Sequence, residues 1–271
     1  MPELPEVETV RQTLRHLVLG KQVDSVSIIY DKIVKDSDLN LLVGKVIKEI
    51  YRRGKYLIFE FSDDIYLVSH LRMEGKYYFK PTSDEILKHE HIIFHFTDGM
   101  SLRYHDVRKF GTMEIRRKDE LYSTNPLSKL GSDANLIDAS YLKTRMFGKH
   151  MDLKSFLLNQ ELIGGIGNIY ADEICFMSML HPKQDIYYLT DNDYENIASS
   201  CKIVLDKAIL AGGTTIRSYT SSLGVTGLFQ LELLVHTRKS LPCPNCGTEI
   251  IKTRVSGRGT YLCPNCQQIK K

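Results

Sequence analysis

The chain has 271 residues, 42% of them hydrophobic and 25% charged, with a formal net charge of +3. That length holds one large or two moderate domains, and the composition is globular rather than disordered. No apolar run approaches a membrane span. Residues 1–20 mix acidic and basic side chains without the apolar block of a secretory leader, so neither feature is expected.

The chain opens Met1-Pro2-Glu3-Leu4-Pro5-Glu6-Val7-Glu8. Proline and carboxylates suit the first turn of a helix, where the dipole is positive. Pro2 is different, because it follows the initiator methionine. A small second residue lets Met1 be clipped, which leaves a secondary amine at the terminus. An α-amino group has a pKa of about 7.7–8.0 against about 10.4 for lysine, so a useful fraction is neutral near pH 7. A neutral amine can form a Schiff base, and Glu3 would stand beside it to move protons.

Residues 4–19 read as a helix with Val7, Val10, Leu14, Leu17 and Val18 on one face, stopped by Gly20. The period then changes. Short strands are expected at 23–30, 46–51, 55–61, 65–71, 75–79, 92–96, 101–104 and 112–116, with turns such as Asp98-Gly99 between them. Strands this short and this frequent predict a sandwich or flattened barrel, with the opening helix at its edge. Beyond residue 117 the pattern is helical, at 119–129, 141–147, 153–160, 169–179, 191–211 and 228–235. Residues 130–138 look like a linker, and 218–227 like a mobile Ser/Thr/Gly loop. The predicted class is α+β, with domains at 1–129, 130–235 and 236–271.

Residues 236–271 carry a net +6 and the remainder −3, which suggests a polyanion partner at that end. Four of the six cysteines are spaced Cys243-x2-Cys246 and Cys263-x2-Cys266, the pattern of two knuckles closing on one tetrahedral zinc. Four thiolates leave no open position, so the ion is structural. Disulfides or a redox pair compete with this reading, but the chain lacks secretory features and a βαβ context. The segment is too short for its own core and is expected to be a hairpin held by metal. Cys175 and Cys201 fall in helical patterns as buried thiols.

Several stretches admit two readings. Gly164-Gly165-Ile166-Gly167-Asn168 follows a helical pattern, which rejects a dinucleotide fingerprint. It is either a plain helix–helix turn or a phosphate site at a helix N-terminus, with Asn168 as the cap. Arg52-Arg53-Gly54-Lys55 is either a solvated turn or a lysine near the chemistry. Met73 and Phe110, each beside arginines, are either core residues or wedges that enter a base stack. His89-x-His91 lacks a third metal ligand. Arg258, between glycines on the expected hairpin tip, points to water or into a groove.

Together these segments closely resemble the formamidopyrimidine-DNA glycosylase family, bacterial repair enzymes for oxidised purines. The matching residues are Pro2-Glu3-Leu4-Pro5-Glu6-Val7-Glu8-Thr9, Arg52-Arg53-Gly54-Lys55-Tyr56-Leu57, His70-Leu71-Arg72-Met73-Glu74-Gly75, Asp106-Val107-Arg108-Lys109-Phe110-Gly111, Gly165-Ile166-Gly167-Asn168-Ile169-Tyr170, Gly212-Gly213-Thr214-Thr215 and the four cysteines, in the family's order. The resemblance implies a helix-flanked β-sandwich, a helix–two-turn–helix domain and a zinc hairpin, with duplex DNA between the halves. It implies Pro2 as the Schiff-base nucleophile, Glu3 as its proton donor, Lys55 as proton donor in β-elimination and Arg258 in δ-elimination and phosphate contact. Met73, Arg108 and Phe110 would fill the gap left by a flipped nucleotide. His89, Lys149, His150, Lys154, Asn168 and Tyr170 would contact DNA, and Glu6, Arg217 and Tyr219 would line the base pocket. A monomer in the bacterial cytoplasm, at the nucleoid, goes with this.

Three places depart from the family pattern. Val235-His236-Thr237-Arg238-Lys239-Ser240 replaces Val-Tyr-Gly-Arg-x-Gly, the linker lacks its usual prolines, and only Lys149, His150 and Lys154 remain of a lysine-rich run. The competing functions are a non-catalytic zinc-ribbon nucleic-acid binder, a sister glycosylase for oxidised pyrimidines, and a Cys-x-x-Cys redox protein. The Met73, Arg108 and Phe110 set favours the purine branch.

Overall fold

In the computed structural model, which describes residues 1–35, 38–214 and 228–270, the first helix starts where its sequence dictates. Helix α1 (Leu4–Val18) begins with a reciprocal capping box between Glu3 and Glu6, with proline in its first turn. It ends before Gly20, whose φ of +78° lets the chain turn away. Its apolar face, including Val7, Val10, Leu14 and Val18, belongs to the same core as the strands.

All eight expected N-terminal strands form: β1 (Val23–Ile28), β2 (Ile47–Arg53), β3 (Tyr56–Phe61), β4 (Ile65–His70), β5 (Lys76–Pro81), β6 (Glu90–Phe96), β7 (Met100–His105) and β8 (Thr112–Arg117). They make two antiparallel four-stranded sheets, ordered β1-β6-β7-β5 and β2-β3-β4-β8. Phe94, Phe96 and Leu102 of one sheet and Ile47, Phe59 and Leu67 of the other share one core. Helix α1 lies along β2, the edge strand of its sheet, as expected, and its inner face completes the core.

The helical half contains α2 (Ala139–Met146), α3 (Leu153–Leu158), α4 (Asn168–Met177) and α5 (Asp191–Leu210). Two expected helices are absent. Residues 119–129 form turns and one 3-10 turn, Leu127–Lys129. The Ser123 and Thr124 hydroxyls bond to the carbonyls of Asp119 and Glu120, and Pro126 excludes helical geometry at Asn125. Residues 228–235 hold only the 3-10 turn Phe229–Leu231, because the N–H groups of Leu234, Val235 and His236 bond to the Glu173 carboxylate instead of to a helix.

The stretch 130–138 is docked rather than free. Its backbone bonds to the turn after α3 through Gly131 N–H to Gln160 O and Gly164 N–H to Ser132 O. A β-carbon on Gly131 would lie 2.4 Å from the Leu162 carbonyl oxygen, so only glycine fits there. Strands β9 (Ile251–Val255) and β10 (Arg258–Leu262) form the terminal hairpin.

The described residues fall into two compact units. One is Met1–Ser128 with the segment from Gly212, the other Lys129–Ala211 with the segment from Leu228. No helix among them is long and apolar enough to cross a membrane. Leu14 is fully buried where α1 meets the strands. Leu14→Ala should cost about 2–5 kcal/mol of stability, read from the urea midpoint of the N-terminal unit.

Candidate active site and nucleic-acid surfaces

The buried polar side chains of the N-terminal unit include Glu3, Glu6, Lys55, His70 and Asp106. Glu6 does the most local work. Its Oε2 accepts the Glu3 N–H at 2.8 Å, and its Oε1 accepts the Thr214 N–H at 2.8 Å and the Thr214 hydroxyl at 3.0 Å. A β-carbon on Gly213 would fall 2.8 Å from Glu6 Oε1, and its φ is +78°, so glycine is required there twice over. Residues 213 and 214 are thereby pinned to the start of α1. Pro2 is buried, whereas Met1 is 48% exposed. The expected base-pocket residues Arg217 and Tyr219, and the loop 218–227, lie outside the described residues.

Lys55 stands in the β2–β3 turn beside Gly54, whose φ is +56°. Glu8 ties that turn to α1. Its carboxylate accepts from Arg11 and, at 3.0 Å, from Arg52 Nε, and Arg52 also donates to the Gly54 carbonyl at 3.1 Å. Burial raises the Glu8 pKa, but the two guanidiniums outweigh it and hold the group below the usual range. Glu8 lay inside a motif without a role. This link from α1 to the Lys55 turn is that role.

His70 closes β4. Its Nδ1 accepts the Arg72 N–H at 2.9 Å, in a turn where Arg72 has a φ of +53°. Burial, reinforced by the charges of Arg72 and Lys55, pushes its pKa down to about 3. Met73 follows, 37% exposed. In the other loop, Asp106 accepts the N–H groups of Arg108, Phe110 and Gly111 at 3.0, 2.9 and 2.9 Å. Phe110 is 52% exposed, with the Arg108 guanidinium 4.8 Å from its ring centre. The core reading of Met73 and Phe110 is therefore excluded.

His89 is half-buried at a φ of +73°, at the end of a loop held by the fully buried Arg103. Arg103 bonds to the carbonyls of Pro81, Asp84 and Glu85 and to Glu90. The rings of His89, His91 and His105 are neighbours, but among the described residues only the cysteines converge as a metal site.

In the second unit, Lys149 and His150 are exposed. His150 bonds to Asp185 at 3.0 Å and stacks on Tyr187. The expectation for Lys154 is corrected. It is fully buried, and its ammonium bonds to Asp172 at 2.6 Å, Thr260 Oγ1 at 2.8 Å and Gly259 O at 3.1 Å, so it cannot reach a nucleic acid. The Tyr170 ring is likewise fully buried, against Phe229, and presents no side-chain surface. Asn168 is the first residue of α4 and not its cap, which is Gly167. Its Nδ2 donates to Gly259 O at 3.0 Å, while its Oδ1 is buried with no hydrogen-bond partner among the described residues.

Sequence reasoning missed the pair Asp172 and Glu173. Asp172 accepts from Lys154, His236 and the Tyr261 N–H, and Glu173 from the backbone of 234–236. Two adjacent carboxylates within an otherwise apolar helix were the available signal. They lock the hairpin and the segment leading to it onto α4. His236, at a departure from the family pattern, has its own partner in Asp172 at 2.7 Å.

Arg258 is exposed, but not on the tip. Ser256 and Gly257, with φ of +48° and +77°, make the two-residue turn, and Arg258 pairs with Val255 as the first residue of β10. The four cysteine sulfurs lie within 4.8 Å of one another, with Cys246–Cys263 at 3.5 Å and Cys243–Cys266 at 3.9 Å. A tetrahedral zinc with bonds of about 2.3 Å needs sulfurs about 3.8 Å apart, so the donors fit one ion.

The α1-flanked sandwich, the helical unit and the four-thiolate hairpin are a combination that known proteins share. Family models for the formamidopyrimidine-DNA glycosylase N-terminal domain, the H2TH domain of the same enzyme and the zinc finger found in FPG and IleRS match residues 1–113, 130–220 and 240–269. The formamidopyrimidine-DNA glycosylase of Bacillus subtilis is 46% identical, covering all of both chains. A complex of a Lactococcus lactis FPG mutant with a Fapy-dG containing DNA superposes with a TM-score of 0.92 at 40% identity, covering 98% of this chain and 100% of that one. A complex of the Lactococcus lactis Fpg with an abasic site containing DNA gives 0.91 at 39%, covering 98% and 99%. The chain belongs to the formamidopyrimidine-DNA glycosylase family.

Two measurements test the site. His70 binds its proton more weakly folded than unfolded, so stability is full above about pH 6.5 and drains as pH falls towards 3. From pH 8 to pH 5, His70 alone should remove about 2 kcal/mol in urea unfolding. His70→Asn, which keeps an acceptor for Arg72, should flatten that slope. Metal analysis should give one zinc per chain, and excess chelator should open 243–266 to protease while the sandwich stays intact.

Proposed function

We propose that this protein binds duplex DNA as a monomer, excises oxidised purines such as 8-oxoguanine and formamidopyrimidines, and cuts the strand by β,δ-elimination. The supporting observation is the chain start, where Pro2 directly precedes a carboxylate pair fixed by the Glu3–Glu6 cap and Thr214. With Met1 present the Pro2 nitrogen is an amide without basicity. Removal of the exposed Met1 makes it a secondary amine anchored beside Glu3.

The damaged nucleotide is turned out of the stack, and Met73, Arg108 and Phe110 occupy the gap. The neutral Pro2 nitrogen attacks the anomeric carbon as the base leaves with the electrons of its glycosidic bond and takes up the Pro2 N–H proton; Glu3 then gives a proton to the ring oxygen, and the bond from that oxygen to the anomeric carbon breaks. The resulting iminium draws electrons from the adjacent carbon, whose proton is lost as the 3′ phosphate departs, with Lys55 supplying a proton. A second elimination, assisted by Arg258, releases the 5′ phosphate, and water then frees Pro2. The zinc held by Cys243, Cys246, Cys263 and Cys266 stabilises the hairpin. His89, Lys149, His150 and Asn168 remain proposed DNA contacts, and the setting is the bacterial chromosome in the cytoplasm.

Borohydride should trap a covalent adduct between Met1-free protein and an abasic duplex. A retained Met1, which leaves an amide at Pro2, should abolish both trapping and strand scission. Duplexes with 8-oxoguanine opposite cytosine should be cut faster than those with thymine glycol. The reverse ranking would move the protein to the pyrimidine branch, and absence of an adduct would make it a binder only.

A further inference from the structure

Two loops carry the proposed wedge, and both cross between the sheets at the same end. Residues 71–75 run from β4 to β5, and 106–111 run from β7 to β8. Their ends are paired within each sheet, His70 with Thr112 in one and Lys76 with His105 in the other, so the loops lie side by side. Between them stands one fully buried side chain, Tyr104. A β-carbon on Gly75 would fall 2.3 Å from the Tyr104 hydroxyl, and one on Gly111 would fall 1.6 Å from it. The backbones of both loops thus close directly onto the same oxygen. The hydroxyl also donates to Asp106 Oδ2 at 3.4 Å, on the carboxylate that organises Arg108 and Phe110. The ring is held in turn by Tyr77, its cross-strand partner, whose hydroxyl donates to Ser69 at 2.7 Å.

We propose that Tyr104 is a positioning residue that joins the Met73 loop and the Arg108–Phe110 loop into one rigid wedge. The inference rests on the wedge role of those residues. Opening a base step costs unstacking energy, and a loop pushed back by the duplex returns that energy as its own displacement. Two loops seated on a common pin resist together. The two glycines are the condition for this, because any side chain there would lift a loop off the hydroxyl.

The test is a double-mutant cycle on excision from a lesion-bearing duplex, with borohydride trapping on single-stranded abasic DNA as the companion measurement. Met73→Ala and Phe110→Ala should each slow duplex excision, and together by about tenfold less than the product of the single effects, since contacting groups couple on that scale. In the Tyr104→Phe background the two effects should multiply. Tyr104→Phe alone should slow duplex excision about tenfold while leaving single-strand trapping, which needs no wedge, within about twofold. Gly111→Ala, whose added carbon would meet the Tyr104 side chain, should reproduce that selectivity. Equal losses on both substrates, or coupling that survives Tyr104→Phe, overturns the inference while leaving the wedge role standing. No effect of Met73→Ala or Phe110→Ala overturns the wedge role and the inference with it.

Discussion

The Glu6 carboxylate is the constraint from which the N-terminal unit takes its chemical order. It caps α1 by accepting the Glu3 N–H, and it receives the Thr214 backbone and hydroxyl from a segment more than two hundred residues away. A chain terminus is ordinarily the loosest part of a domain. Here a helix cap, a buried carboxylate and a glycine that allows close approach hold it still. The nucleophilic role proposed for Pro2 needs that, because effective molarity is lost quickly when the attacking atom wanders. The Glu8–Arg52–Gly54 link extends the same rigidity to the turn that carries Lys55.

Buried charge organises the rest of the molecule in the same way. Asp106 spends its two oxygens on three backbone N–H groups, which shapes the loop that exposes Arg108 and Phe110. Arg103 spends its guanidinium on loop carbonyls and Glu90. Asp172 and Glu173 place the metal hairpin against α4. In each case a charge is removed from water, and its lone pairs or protons are used to fix backbone rather than to bind another side chain alone. Such groups are costly to leave unsatisfied, so the arrangement has few alternatives. The exposed residues proposed to meet DNA stand on these supports.

Much of this was legible in residue order. Alternation and turn residues revealed all eight strands, since each strand has one face on a shared core. The spacing of the cysteines showed the metal hairpin, and the opening Pro-Glu stretch showed where the first helix starts. The failures have physical causes. Residues 228–235 have a helical pattern, yet their N–H groups find a buried carboxylate on another helix. Lys154 looks like a surface cation in a basic stretch, yet it neutralises Asp172. Arg258 was placed on a tip because it lies between glycines, whereas the left-handed pair Ser256-Gly257 makes the turn.

The amino-acid sequence by itself determined the periodicities, the cysteine spacing and the proline that follows Met1, because these depend on neighbours within a few residues. Only the tertiary structure decided which charges are buried and what they hold. The Glu6–Thr214 bond, the Lys154–Asp172 pair and the closure of two loops on Tyr104 join residues remote in the chain, and their partners are chosen by packing rather than by local preference.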